Sequence, residues 1–372
     1  MLTIFDKWAK VLMHHSLNVM PGQYVVIVGD PTAMPLIDAC LTEALRSKAK
    51  VDYLATPSHH TELLFAIGDD EQVGATPLLW LEAATKCDKY LSIKCTNNTR
   101  SLSGASPERH ALAQKAYSPI LNTVLKRTHE NTLSWCTTLF PTAAIAQEAK
   151  MGTFEFEQFA YDAMFLNEKD PVMRWKELAL QQQKLIEKLK EGSILLFQNE
   201  EGTHLEVDVA NMVWKNCAGE NNFPDGEVFT GPNLKAKNGG VNGRVKVTFP
   251  TILKNTEVQG IELQFQNGAV TRATAAQNES FLKAMIDQDP GARYVGEVAL
   301  GTNYGITRSI NNILFDEKIG GSFHIALGKG YPETGNDNNS ALHWDLVTDM
   351  RKSGKLFLDG ELLFEKGKFL GL

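Results

Sequence analysis

Up to about residue 190, short apolar runs alternate with helix-like stretches; beyond that point the pattern becomes strand after strand. Residues 24–28 (Tyr-Val-Val-Ile-Val) form a compact β-rich run entered through the Pro21-Gly22 turn pair. The next stretch sets Leu36, Ala39, Cys40, Ala44 and Leu45 near helical spacing, and residues 51–55 read as a second strand. The same succession recurs around Tyr90–Ile93 and Leu133–Cys136. Repeated βα units predict a mostly parallel sheet covered by helices. A long helical pattern opened by Pro171 and closed by Gly192 follows the Pro-first, Gly-last asymmetry of helices and is expected to connect two domains.

Past Gly192, residues 193–197, 204–209 and 243–249 read as strands, the last with the alternation of a half-buried one. Asn267-Gly268 and Asp359-Gly360 each separate alternating runs, which is the strongest short hairpin signal. A single helix near 280–287 interrupts them. The expected architecture is an α/β N-terminal domain with a mostly parallel sheet over residues 1–190, including the linker helix. An α+β, mainly antiparallel C-terminal domain follows over residues 191–372.

Composition narrows the function classes. With 43% apolar residues the chain has ample material for a core, so disorder is excluded. Its 37 basic residues are outnumbered by 44 acidic ones, for a net charge of −7, so it lacks the positive field of nucleic-acid binders. No run approaches the roughly 20 apolar residues of a membrane span, and Asp6, Lys7 and Lys10 break the apolar centre that a secretory signal needs. The five cysteines form no CxxC pair and read as reduced thiols, which predicts a cytoplasmic protein. No dinucleotide, phosphate-loop or serine-nucleophile motif is present, and the pairs His14-His15 and His59-His60 read as structural.

Side chains with metal-ligand chemistry concentrate between 220 and 350. Glu227 follows a turn and enters a short β-run, and Glu297 enters an apolar one just after Gly296. An unpaired carboxylate costs several kcal/mol to bury, so a Glu in such a run calls for a cation or a firm partner. His324 lies in a strand-like run with Tyr331 seven residues on, and His343 and Asp345 form an H-x-D pair. In an extended strand, residues i and i+2 share a face, so both can converge on one ion or on two neighbouring ions while Trp344 points into packing.

Four blocks, N-F-P-D-G-E-V-F-T, G-E-V-A-L-G-T-N, F-H-I-A-L-G-K-G-Y and H-W-D, occur in this order. Together with P-G-Q-Y-V-V-I-V-G, the S-G-A-S-P-E-R-H-A-L-A-Q-K-A segment and the L-F-P-T-A-A-I-A-Q-E-A-K-M segment, they resemble the thermophilic aminopeptidase T family of metallopeptidases, which includes aminopeptidase S and streptococcal relatives. Position by position, the resemblance puts the family's metal-binding glutamates on Glu227 and Glu297, its first histidine on His324, its tyrosine on Tyr331 and its His-Asp pair on His343 and Asp345. It implies a two-domain enzyme with its metals in the C-terminal domain. It also implies a homodimer with active sites facing an enclosed space, and zinc, cobalt or another divalent ion as cofactor.

The chemistry of such a set is coherent. Three carboxylates and two imidazoles offer −3 of charge to two divalent ions, favouring a bridging water as hydroxide, while the substrate's free amino group can ligate one ion. That predicts removal of N-terminal residues from peptides. Glu297 is the expected bridge between the metals. Tyr331 is expected to donate to the tetrahedral oxyanion or to serve as a distal ligand. A nitrogen and oxygen donor set without thiolate suits Zn²⁺, Co²⁺ or Mn²⁺. Glu317 and Asp225 are candidate general bases, although each reads more readily as structural. The alternatives are a single-metal amide or ester hydrolase, and an inactive peptide- or metal-binding protein on the same scaffold.

Overall fold

The computed structural model describes residues 2–371. Its strands, in chain order, are β1 Tyr24–Gly29, β2 Lys50–Ala55, β3 Lys89–Lys94, β4 Ser134–Leu139, β5 Ile194–Gln198, β6 His204–Asp208, β7 Lys215–Cys217, β8 Asn222–Phe223, β9 Glu227–Thr230 and β10 Val241–Lys246. There follow β11 Thr251–Leu253, β12 Thr256–Val258, β13 Glu262–Gln266, β14 Ala269–Thr274, β15 Val295–Gly301, β16 Ser322–Gly328, β17 His343–Asp349, β18 Lys355–Leu358, β19 Glu361–Glu365 and β20 Lys368–Phe369.

The chain divides into two compact units. One contains the residues up to Trp175 together with Gly219–Pro224; the other contains Lys176–Ala218 and the residues from Asp225 onward. The division falls inside the helix Pro171–Leu189, whereas the sequence expectation places it after residue 190.

The first unit is the expected α/β layer structure. Its sheet has the order β2-β1-β3-β4-β8 and is parallel throughout. Parallel neighbours need crossovers, and helices such as Met34–Arg46 and Pro107–His129 supply them. The fifth strand departs from expectation, because β8 comes from the second half of the sequence and pairs Asn222 with Thr137 and Phe223 with Thr138. At the end of β1, Asp30 ties the sheet to the next connection. Its Oδ1 accepts from Thr32 N at 2.8 Å, and its Oδ2 accepts from Ser58 N at 2.6 Å and Ser58 Oγ at 2.7 Å.

The second unit is antiparallel, as the hairpin signals predict. Asn267-Gly268 turns β13 into β14 and Asp359-Gly360 turns β18 into β19. An eight-stranded sheet, β14-β13-β10-β6-β5-β18-β19-β20, accompanies a five-stranded sheet, β17-β16-β15-β9-β7. Alternate residues of both sheets supply one apolar core, in which Phe197 of β5 stacks on Phe323 of β16 at 4.1 Å. The expected helix appears as Glu279–Ile286, and a second, single-turn helix at Ile313–Asp316 corrects the expectation of one helix only. A four-residue turn is too short to show a 3.6-residue period. No helix among the described residues is long and apolar enough to cross a membrane.

The Asp30 cap yields a pH-dependent prediction. Burial opposes ionisation of its carboxyl, but the hydrogen bonds from Thr32 and Ser58 outweigh burial and bring the pKa down to about 2. An unfolded Asp ionises near 3.8. The stabilisation is therefore complete above that pH and disappears as pH falls through about 2. Asp30→Ala should lower stability by about 1–2 kcal/mol near neutrality. Urea titrations should show the gap to wild type narrowing between about pH 4 and pH 2.

Candidate metal centre

Four strands of the five-stranded sheet carry the candidate ligands, and the pleat decides which face they take. On β16, Phe323, Ile325 and Leu327 enter the core, so His324 and Ala326 lie on the opposite face. On β17, Trp344 and Leu346 are core residues, which leaves His343 and Asp345 on the face of His324. β15 needs an extra device. Val295 and Val298 are both in the core, and an uninterrupted strand would put Glu297 on the same face as Val295. The register shifts at this point, pairing Val295 with Leu327 but Glu297 with Ala326, so the bulge at Gly296 re-aims the carboxylate. A Cβ on Gly296 would lie 2.2 Å from the Lys329 carbonyl oxygen, so only glycine fits. Cross-strand partners on this face are small: Ala326 stands between Glu297 and Asp345, Ala299 opposite His324, and Gly301 opposite Glu227. The small residues leave room for the polar side chains to meet.

The sequence-predicted residues meet there. His324 Nε2 lies 3.5 Å from Glu297 Oε1, 3.7 Å from Glu227 Oε2 and 3.9 Å from Asp345 Oδ1. His343 Nε2 lies 3.6 Å from Glu297 Oε2 and 3.5 Å from Asp345 Oδ1. Potential ligand atoms of Glu227, Glu297 and His324 fall within 4.8 Å of one another, and so do those of Glu297, His343 and Asp345. Glu297 belongs to both sets. Tyr331 stands at the edge, its hydroxyl 3.5 Å from His343 Nε2 and its ring against Phe229.

Both imidazoles are oriented by main-chain carbonyls. His324 Nδ1 is 3.2 Å from the Glu317 oxygen and His343 Nδ1 is 3.0 Å from the Lys329 oxygen. A ring that donates from Nδ1 presents an Nε2 lone pair, the form in which histidine ligates metal. Those lone pairs confront carboxylate oxygens, and Glu227 Oε2 is buried with no hydrogen-bond partner among the described residues. A cation between them reconciles both features, so the donor set fits a metal. Burial works against a charged ring, yet the hydrogen bond and charge of Glu297, with the charges of Glu227 and Asp345, push His324 up to about 10. His343 is likewise raised to about 9, chiefly by Asp345 acting against burial. The cage demands positive charge.

Sequence reasoning missed Lys318, a fully buried ammonium. Its Nζ donates to Glu227 Oε1 and to Glu317 Oε1, each at 2.5 Å, and lies 3.8 Å from Asp225 Oδ1. Holding Glu227 by one oxygen leaves the other turned towards His324. Glu317, a candidate base in the sequence, joins His324 and Asp345 in a further set of possible ligand atoms. Cys217 approaches Asp225 and Glu227, but burial raises its thiol well above the ordinary range, which disfavours the thiolate a metal requires. The available signal was the Asp316-Glu317-Lys318 triplet leading into the strand of His324, a charged cluster where a bare turn would serve.

Removing the ammonium should expose the repulsion it offsets. Lys318→Met leaves buried carboxylates without their counter-charge, and such a break costs about 3–5 kcal/mol. Urea denaturation of the metal-free variant should register that loss, and saturating divalent cation should restore part of it.

The sequence pattern of the thermophilic metalloproteases (M29) matches residues 3–369. The chain is 28% identical over 363 residues to Aminopeptidase 2 of Geobacillus stearothermophilus, an alignment covering 91% of this chain and 86% of that protein. Wild-type AmpT from Thermus thermophilus shares the fold with a TM-score of 0.85 at 22% identity, over 99% of both chains. A 2,5-dihydroxypyridine dioxygenase from Pseudomonas putida KT2440 superposes with a TM-score of 0.56 at 16% identity, covering 99% of this chain and 97% of the other. At such identities these structures establish the architecture alone, and the second is a reminder that an architecture does not fix a chemistry. The family match is of another kind, because it runs through all four strands that carry the polar cluster, and on that ground the chain belongs to the M29 family of thermophilic metalloproteases.

Proposed function

We propose that this chain is an aminopeptidase that removes the N-terminal residue of peptides at a centre of two divalent cations. In this reading Glu227, Glu297 and His324 hold one ion, and Glu297, His343 and Asp345 hold the other, with Glu297 common to both. The overlap of the two ligand sets at Glu297 carries the reading. Relatives named aminopeptidases support peptides with a free N-terminus as substrates. The oxygen and nitrogen donors suit zinc, cobalt or manganese. The reading includes a cytoplasmic setting, supported by five free cysteines, and a homodimer, which rests on the family likeness.

Divalent ions held by these residues would lower the pKa of a bound water towards neutrality and act as Lewis acids on the scissile carbonyl. The protein's own groups do the rest. Lys318 fixes Glu227 and Glu317 by one oxygen each, so their remaining oxygens are directed without rotamer freedom. Glu317 is the proton acceptor in this scheme, taking the proton at the carboxylate oxygen that Lys318 does not hold. Burial, then the surrounding carboxylates, hold the Tyr331 hydroxyl far above its ordinary pKa, so it stays protonated and can donate to the developing oxyanion.

Titrating metal-free protein with Co²⁺ or Zn²⁺ should raise leucine p-nitroanilide hydrolysis until two equivalents are bound. Saturation at one equivalent would replace the scheme with single-metal hydrolysis, and no release with any metal would favour a binding protein. Glu297→Gln should cut turnover by at least about a hundredfold while circular dichroism stays unchanged. Tyr331→Phe should lower kcat by about 10²–10³ if its hydroxyl holds the oxyanion.

A further inference from the structure

A cleft of about 330 Å³ opens between residues 249–253, residues 311–316 and β17. β17 is the edge of its sheet, and residues 248–251 run along its outer side, where Thr248 N and Phe249 N donate to the Val347 carbonyl. His343 and Asp345 line the cleft, which therefore begins where the polar cage ends. Its volume is near the lower end of ligand pockets, about 300–1,000 Å³, which suits one large side chain better than a length of peptide.

The lining is apolar where it is available. Phe249, Pro250, Ile252, Leu253, Ile313 and Val347 contribute, and no Lys or Arg does. Several of the polar groups present are already engaged within the protein. Thr251 Oγ1 accepts from Trp344 Nε1 at 2.9 Å and donates to the Asp345 carbonyl. Asp316 Oδ1 accepts from Ile310 N and Oδ2 from Ser309 Oγ, both at 2.8 Å. Asn312 Oδ1 accepts from Leu314 N. An acidic side chain entering the cleft would lose its water and meet the Asp316 and Asp345 carboxylates with no Lys or Arg in the lining to compensate, whereas an apolar one would bury its surface.

We infer that this cleft receives the side chain of the substrate's N-terminal residue and selects an apolar one, of the size of leucine, methionine or phenylalanine, over an acidic one. The inference rests on the aminopeptidase reading, since it is the residue whose amino group sits at the centre that would reach the cleft past His343 and Asp345. Ile252 and Ile313, 43% and 47% exposed, guard its open side.

The test uses the metal-loaded enzyme and two peptide series, Xaa-Gly-Gly and Gly-Xaa-Gly. Leu or Phe in the first position should exceed Asp and Glu there by tenfold or more in kcat/KM, with little dependence on the second position. Ile313→Trp should lower the Leu-to-Ala ratio at the first position by about 10-fold or more, the scale set by one or two methylenes in a pocket. Ile313→Asp should raise the Arg-to-Leu ratio by a similar factor. Equal rates for Leu and Glu at the first position, or variants that change only the second-position preference, would overturn the assignment. If no peptide is cleaved, the aminopeptidase reading fails and the cleft is judged separately, by calorimetry with the α-hydroxamates of leucine and glutamate on zinc-loaded protein. Tighter binding of the leucine compound, lost in Ile313→Trp, upholds the pocket, and equal binding removes it.

Discussion

Electrostatic repulsion among buried carboxylates governs this structure. Asp225, Glu227, Glu297, Glu317 and Asp345 crowd one face of a five-stranded sheet, and the Lys318 ammonium stands among them. With both imidazoles neutral, that leaves a formal excess of four negative charges, which is the charge of two divalent cations. The sequence alone gives three carboxylates for two ions, an incomplete account. Adding the Asp225 and Glu317 carboxylates and the lysine gives the net charge that the proposed pair of cations would offset. It also explains why burial and a neighbouring ammonium compete so strongly at Glu227, whose carboxyl burial raises to about 8 even against Lys318.

The cage is assembled by sheet geometry more than by loops. Strands are suited to this because their side-chain positions are set by pairing, so a ligand on each of four strands is held by ladder hydrogen bonds. Two departures from regularity make the arrangement possible. The bulge at Gly296 brings Glu297 to the face of the histidines, and alanine or glycine at the intervening positions keeps the floor low. A larger residue at Ala299 or Ala326 would occupy the space the ligand atoms share. Tightly constrained small residues and polar ligands are thus two aspects of one design, and the apolar core behind the sheet, with Phe197 stacked on Phe323, supplies the rigidity.

What was legible in the sequence follows from the range of the forces involved. Periodicity and turn chemistry are local, so the βα alternation, the Asn267-Gly268 and Asp359-Gly360 hairpins and the shared face of His343 and Asp345 could be read directly. Glu227, Glu297 and His324 stood out because polar side chains interrupt runs that are otherwise apolar. The return of Asn222 and Phe223 to the parallel sheet was hidden, since a two-residue strand has no period and its partner lies more than eighty residues away. Lys318 was hidden for a similar reason. A lysine beside a glutamate in sequence ordinarily marks a solvated surface, and only the return of β9 to this point reveals that it is buried against three carboxylates. The bulge at Gly296 escaped notice because a glycine in a strand signals irregularity without giving its direction.

An architecture shared with a dioxygenase raises the question of where the hydrolytic character resides. It cannot reside in the sheets, which set positions and no chemistry. What this chain sets on them is a cluster of five carboxylates against two imidazoles and one ammonium. Carboxylates at this density repel one another until enough positive charge has entered. Lys318 adjusts that threshold, because one fixed ammonium removes a charge that would otherwise require a further cation. The same lysine holds Glu227 and Glu317 by one oxygen each, so the balance of charge and the aim of the ligands are set by a single buried side chain.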